Sequence, residues 1–304
     1  MTLKDLKWYA AYISLMTIMI PFAVMPLRLS VSTGKKLGRL LYFILPKWRR
    51  TGLETISSLL PLLEKYPAWR ELSTSPETVV RQVFVNIGIF VAELSRLYFG
   101  KNEELLASVE FRGLEHVEGA REKGRGFIGI TAHCGNWELM ALAFGARVAP
   151  VAVIARTMKK DYFNRVLEKI RLQHGNRIIY RDSGVKMMLS FLKNNGIIGI
   201  LPDQVVKAPH GILADFFGRP AWTTVMPVKL ALKTGSPLLP FFIHREGEKN
   251  IITIYPEIEL MTTGSEEERI LDGTIKMNRA IENHIIRYPD QWNWLYRRWK
   301  GVNG

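Results

Sequence analysis

Residues 126–138 read GFIGITAHCGNWE. The first six form a short apolar run of the kind buried in a sheet. The next residues cannot continue it, because Gly135 permits a tight turn and Asn136 is a good helix N-cap. The spacing predicts a strand over 126–131, a loop, and a helix over 136–147. The same alternation recurs downstream. Strand candidates are 150–155 (PVAVIA), 177–180 (RIIY), 197–201 (IIGIL), 238–243 (LLPFFI) and 251–255 (IITIY), with helical patterns at 159–173, 183–194, 223–234 and 266–288. Strands alternating with helices imply an α/β fold, a mixed, mostly parallel sheet flanked by helices. In such sheets ligands bind beyond the carboxyl ends of the strands, so residues just after strands are the first functional candidates.

Upstream, 53–66 and 76–99 read as helices. Ser75 serves as N-cap of the second, Pro76 takes its first position, and Val80, Phe84, Ile87, Val91, Leu94 and Tyr98 form an apolar stripe. Further back, Trp8 to Leu27 is a stretch of twenty residues without a charge, long enough to cross a hydrocarbon core of about 30 Å as a helix. Lys4 and Lys7 flank one end, and Arg28, Lys35, Lys36 and Arg39 the other. Trp8, Tyr9 and Tyr12 stand where an aromatic belt would, and the heavier positive charge after the stretch keeps the rest of the chain in the cytoplasm. A buried helix kinked at Pro21 and Pro26 is the alternative, as is a signal peptide cleaved near Ser30-Val31-Ser32. Residues 37–50 (LGRLLYFILPKWRR) carry a Trp among cations behind an apolar run, the composition of an interfacial segment or of an ordinary amphipathic core helix. The expected organisation is a membrane helix over 1–30, a helical, membrane-proximal segment over 31–107, and an α/β core over 108–304.

The chain has 304 residues, 47% of them hydrophobic and 23% charged, which excludes wholesale disorder. Its single cysteine, Cys134, excludes an intramolecular disulfide and a multi-cysteine zinc site. With 42 Lys and Arg against 28 Asp and Glu the net charge is +14. The excess lies in three blocks: 1–50 with nine basic and one acidic residue, 156–193 with ten and three, and 287–300 with four and one. Such a surface implies an anionic partner: acidic lipid, an acidic protein or nucleic acid. A membrane anchor makes nucleic acid the least fitting. Trp292, Trp294, Tyr296 and Trp299, interleaved with Arg297, Arg298 and Lys300, then read as a lipid-facing cluster.

The strand ends carry the candidate chemistry. His133 falls on the loop after the first strand and Glu138 in the first turn of the helix, where a carboxylate could reach back to the imidazole. A Glu on one ring nitrogen fixes the tautomer and makes the other a better base for a hydroxyl. On spacing alone a satisfied buried histidine beside a helix cap accounts for the pattern as well. Downstream, Asp203 follows strand 197–201, Arg156 follows 150–155, Arg181-Asp182 follows 177–180, and Arg171 ends a helix whose apolar face holds Tyr162, Phe163, Val166, Leu167 and Ile170. Together they suit an anionic substrate. Gly124-x-Gly126-x-x-Gly129 matches a dinucleotide fingerprint only literally, since it precedes and enters a strand. G-x-S-x-G, P-loop and H-E-x-x-H motifs do not occur. Cys134 reads as a small packing residue, with an acyl-accepting nucleophile as the alternative, and no metal site is expected.

His133-x4-Glu138 on a strand–loop–helix resembles the H-x4-D/E motif of glycerolipid-type acyltransferases. The wider pattern is most similar to the bacterial lipid A biosynthesis (lauroyl/myristoyl) acyltransferases: an N-terminal membrane helix, Val153-Ile154-Ala155-Arg156 fifteen residues before Arg171, Pro202-Asp203 at a strand end, and a closing PDQWNWLYRRWK over 289–300. The resemblance covers nearly the whole chain. It implies a membrane-bound O-acyltransferase of the bacterial inner membrane, its catalytic domain on the cytoplasmic side. The donor would be an acyl-carrier protein or acyl-CoA thioester, with no bound cofactor, and the acceptor an anionic glycolipid such as a lipid A precursor. His133 would be the general base and Glu138 its orienting partner, while Arg156, Arg171 and Asp203 would bind substrate. The Cys134-Gly135-Asn136-Trp137 segment is more like superfamily members acting on other glycolipids. An acyltransferase on another lysophospholipid or glycolipid, or a membrane-bound lipid hydrolase, is the alternative activity.

Overall fold

The computed structural model describes residues 3–72, 74–156, 161–181 and 184–302. Of the features named above, Asp182 and the side chains of Lys4, Lys7, Trp8, Tyr162 and Phe163 lie outside the described residues. Six helices come first: α1 (Leu3–Val24), α2 (Leu27–Ile44), α3 (Pro46–Leu63), α4 (Pro67–Glu71), α5 (Pro76–Tyr98) and α6 (Glu103–Ala107). After them come β1 (Val109–Arg112), α7 (Leu114–Glu122), β2 (Phe127–Ile130), α8 (Trp137–Arg147), β3 (Ala152–Ala155), α9 (Asp161–Arg171), β4 (Arg177–Tyr180), α10 (Val185–Lys193) and β5 (Ile197–Ile200). A hairpin of β6 (Gly211–Phe216) and β7 (Arg219–Thr224) leads into α11 (Met226–Thr234), β8 (Leu238–Glu246), β9 (Lys249–Ile254) and α12 (Glu266–Arg287).

The sheet order is β1-β9-β8-β2-β5-β3-β4, and every pairing in it is parallel except β8 with β9. This is the mixed, mostly parallel sheet expected from the alternation, and all six strand candidates belong to it. Sequence reading missed β1 and the separate β6–β7 hairpin. Val109-Glu110-Phe111-Arg112 alternates as an edge strand must, but Glu110 and Arg112 leave no apolar run to register, and Gly218 and Pro220 are loop-type residues. The central strand β2 lies between β8 and β5, with its parity split between two cores. Ile128 and Ile130 pack with Ile198, Ile200, Met188 and Val228 on one face, and Phe127 packs with Leu139, Phe144, Ile197 and Phe241 on the other.

The charge-free N-terminal stretch does form a helix, but α1 stops at Val24, three residues before that stretch ends and six before the expected boundary at 30, with Pro26 at the N-cap of α2. Met19, Phe22 and Ala23 are buried, whereas Ile13, Ile18, Ile20 and Val24 are exposed. The longest apolar helix is α5, which is mostly buried inside the protein. Its forecast N-cap is present, with the Ser75 side chain accepting from the Thr78 N–H. Of the expected stripe, Val80 and Phe84 are buried and Ile87, Val91, Leu94 and Tyr98 half-buried; the buried face turns instead to Val85, Gly88, Ile89, Ala92 and Arg96, because α2 docks there. Gly34 and Gly38 face Gly88 so closely that a Cβ on Gly88 would sit 2.0 Å from the Gly34 carbonyl oxygen. The helical segment also shares its core with the chain's far end: Ile56, Leu59, Leu63 and Phe84 pack in one cluster with Ile285, Trp292 and Trp294.

The terminal aromatic-basic run is a correction to the sequence reading. Trp292 and Trp294 are 2% and 0% exposed, and Arg298 is 0% exposed. Arg298 donates to the Trp222 carbonyl and the Thr223 hydroxyl and lies over the Phe216 ring. Interleaved Trp and Arg looked like a surface cluster because sequence does not reveal that Arg298 meets buried acceptors, while Arg297 and Lys300 stay exposed.

Candidate active site

Four strand ends converge at the carboxyl edge of the sheet. The β2–β5 ladder pairs Ile130 with Ile200, and beyond it the Thr131 N–H still donates to the Ile200 carbonyl. Carried three residues further, the same register brings His133 to Asp203. The His133 ring Nδ1 is 2.8 Å from Asp203 Oδ1, and the His133 backbone N–H donates to Asp203 Oδ2 at 2.9 Å. Trp292 Nε1–H donates to that same Oδ2 at 2.9 Å. With Nδ1–H donating to a carboxylate, Nε2 carries the lone pair, and it faces the Gln204 amide at 3.3 Å.

The loop that holds His133 is fixed from both sides. Gly135 has φ +52°, and a Cβ there would stand 2.5 Å from the Ile243 carbonyl oxygen. Asn136 caps α8 by accepting from the Leu139 N–H and ties the turn to the buried Glu93 of α5. The closing segment braces the other side, as Gly135 N–H donates to the Gln291 carbonyl and Asn293 N–H to the His133 carbonyl. Gly135→Ala is expected to lower stability by about 1–3 kcal/mol through the strained φ and the displaced strand, measured as a shift in the urea midpoint. An unchanged midpoint would show the turn to be adaptable.

Electrostatics distinguish the two carboxylates. Burial alone would lower the His133 pKa, but the Asp203 charge and hydrogen bond outweigh it and hold the imidazole above its usual 6.5. Burial would raise Asp203, yet the His133 charge and the donors around it hold that carboxyl below its ordinary range. Glu138 does not take the expected place on the His133 ring. It lies in the first turn of α8, where its carboxylate accepts from Arg171 Nε at 2.9 Å and from Arg171 Nη2 at 2.5 Å, with Trp137 Nε1–H at 3.1 Å. A carboxylate five residues on, past a turn and an N-cap, leaves along the helix toward α9. Asp203 is likewise placed differently from the expectation that it contacts substrate: at 2% exposure both its oxygens are committed behind His133.

A polar cleft of about 390 Å³ opens in front of His133, bordered by Trp137, Arg156, Arg171, Arg181, Gln204 and Tyr296. Arg156 and Arg171 thus join His133 as expected from the strand ends, and Gln204 and Tyr296 were not anticipated. Beneath the cleft a narrow apolar cavity, of about 80 Å³, runs between α8 and the sheet, sharing Trp137, Ile154, Arg171 and Leu201 with it. Cys134 is 1% exposed, and burial, with the Asp203 charge, pushes its thiol well above the ordinary value, so it is a packing residue and not a thiolate. Among the described residues no three His, Cys, Asp or Glu groups could hold a metal ion.

This geometry, a carboxylate-held histidine on an arginine-lined cleft that adjoins an apolar cavity, coincides with a family match over residues 3–301 to the bacterial lipid A biosynthesis acyltransferases. The chain belongs to that family. It is an acyltransferase. It is 23% identical over 228 residues to the phosphatidylinositol mannoside acyltransferase of Mycolicibacterium smegmatis, covering 74% of this chain and 73% of that one. It is 23% identical to the lipid A biosynthesis myristoyltransferase of Escherichia coli, over 86% of this chain and 78% of that one. Against the lipid A biosynthesis acyltransferase of Haemophilus influenzae the identity is 23%, over 76% and 70%. Among solved structures, the 1-acyl-sn-glycerophosphate acyltransferase of Thermotoga maritima matches with a TM-score of 0.39 and 17% identity, over 78% of this chain and 99% of that one.

Proposed function

We propose that the acyltransferase moves a fatty acyl chain from an acyl thioester to a hydroxyl of an anionic membrane glycolipid such as a lipid A precursor, with His133 as general base. The observation that carries this reading is the His133–Asp203 pair on a cationic cleft that shares Trp137 and Arg171 with an apolar cavity. His133 Nε2 takes the acceptor's hydroxyl proton as the oxygen attacks the thioester carbonyl. The C–S bond then breaks and the imidazolium returns that proton to the departing sulfur, leaving an ester and a thiol. Asp203 stays ionised, holds the tautomer and stabilises the transient imidazolium. Arg171 borders both spaces and is placed to offset charge on the carbonyl oxygen. Arg156 and Arg181, at the cleft's edge, suit an acceptor phosphate. The apolar cavity takes the acyl chain.

The relatives named for phosphatidylinositol mannoside and for lipid A support a glycolipid acceptor. Membrane binding is supported by exposed Ile13, Ile18, Ile20, Val24, Leu29, Leu40, Phe43, Ile44 and Trp48 on α1–α3, beside the first basic block. We place the enzyme on the cytoplasmic face of the bacterial inner membrane, where acyl thioesters are made. The test is purified protein with acyl-carrier-protein and acyl-CoA donors and phosphorylated glycolipid acceptors, read by mass spectrometry. Acylated lipid supports transfer, whereas free fatty acid with no acylated lipid would make it a hydrolase.

An acidic acyl-carrier protein fits as donor because a second groove, of about 810 Å³, adjoins the cleft through Arg181, Thr224 and Met226 and carries Lys229, Lys233, His210 and Arg269 with Glu266. Replacing Lys229 and Lys233 together by Glu is expected to raise KM for a carrier-protein thioester about tenfold, each exposed charge pair being worth up to ~1 kcal/mol. Salt should mimic the effect. An unchanged KM would remove this groove as the carrier's docking face.

A further inference from the structure

We infer that Gly129 and Gly199, side by side in the two central strands, set the length of the acyl chain the enzyme accepts. The inference rests on the acyl-transfer reading and extends it to the residues that select the donor. The β2–β5 register pairs Gly129 directly with Gly199. Strand parity puts both on the face of Phe127 and Ile197, so both line the apolar cavity beneath the cleft.

Nothing else in the structure calls for glycine at these positions. Neither residue adopts a positive φ. A Cβ on Gly129 would meet the Phe241 ring at 3.4 Å, and one on Gly199 would meet Val151 at 3.5 Å, both ordinary contacts. By contrast, Gly34, Gly88 and Gly135 would drive a Cβ into backbone. Glycine also weakens a strand interior, and the flanking residues Ile128, Ile130, Ile198 and Ile200 show what these strands otherwise use. What the pair does provide is a stretch of cavity wall without side chains, closed by Phe241 and Val151 at contact distance.

That stretch lies midway along the cavity. Thr131 and Leu201 form the level nearest His133, beside Glu138 and Arg171. Phe127 lies four residues back along β2, and its ring packs against Phe144 and Phe241 with centroids 6.5 and 5.9 Å away. At about 3.3 Å per residue the path from Thr131 to that aromatic floor is ~13 Å, with the glycine level about halfway. A chain entering from the thioester must pass over the two glycines, between them and α8, to reach the floor. Side chains there close the lower half and leave the His133 end untouched.

The experiment compares wild type with Gly129→Ala, Gly199→Ala and Gly199→Val. Each is assayed for kcat/KM over saturated acyl thioesters from octanoyl to palmitoyl, and for displacement of fluorescent cis-parinaric acid by free fatty acids of the same lengths. The preferred chain should shorten by at least one two-carbon step, and kcat/KM for the wild type's best chain should fall about tenfold or more. Short-chain turnover should be kept, and the Ala variants should melt at the wild-type temperature or above it. Folded variants with the wild-type length profile, or with equal loss at every length, would overturn the inference, as would a wild type that binds no fatty acid. If the wild type transfers no acyl chain at all, the transfer reading falls, while the displacement series still decides whether the glycines set the cavity's depth.

Discussion

His133→Ala is expected to lower kcat/KM for acyl transfer by about 10²–10⁴-fold, the usual contribution of a positioned general base. The proton on the acceptor hydroxyl then has no taker, since Nε2 is the ring nitrogen left free by the Asp203 contact. The Ala variant also strips Asp203 of the imidazole and leaves a buried carboxylate with only its Trp292 and residue-133 backbone N–H donors. Some loss of stability is therefore expected. His133→Gln supplies the control, because its amide can still donate to Asp203 but cannot take a proton. Circular dichroism and thermal melting establish folding, and turnover is read by mass spectrometry of the lipid product. A folded His133→Gln protein with near wild-type turnover would end the general-base mechanism.

The second large effect separates the two carboxylates. Asp203→Asn should cost about 10²–10⁴-fold in kcat, since a neutral amide neither stabilises the imidazolium nor secures the tautomer. It should also move the pH profile. The base acts in its neutral form, so kcat/KM rises with pH through the His133 pKa, which lies above 6.5 in the native protein. Without the Asp203 charge, burial is left as the main influence and lowers that pKa, so the midpoint moves to more acid pH. Glu138→Gln behaves differently. It leaves the partly buried Arg171 without its anion, so it should reduce stability and donor binding, at up to about 3–5 kcal/mol for a broken buried pair, with little displacement of the midpoint. If Glu138→Gln shifts the acid midpoint and Asp203→Asn does not, Glu138 holds the histidine in the working enzyme.

Much of this site was legible in residue order. Short apolar runs bounded by Gly, Pro and caps marked six of the seven strands of the main sheet, the strand ends marked His133, Arg156 and Asp203, and a helix end marked Arg171. What could not be read was which carboxylate meets which cation. Sequence proximity favoured Glu138 for His133, because five residues is a short path. Strand register favoured Asp203, because a parallel ladder brings residues seventy apart in sequence to the same height. The terminal PDQWNWLYRRWK run was recognisable as a motif, but not as the brace on the His133 loop. Its hydrogen bonds reach back to residues 133, 135 and 203, and no local pattern encodes such partners.

Residue order alone determined the α/β alternation, the turn at Gly135, the cap at Asn136, the cationic character and the place of His133 on a loop after a strand, since each follows from local periodicity, backbone freedom or residue type. The tertiary structure decided the Asp203 contact, the diversion of Glu138 to Arg171, the burial of the Trp292 cluster and the cavity at the glycine pair. These depend on ladder register and helix docking, which join distant segments through contacts that no window of sequence contains.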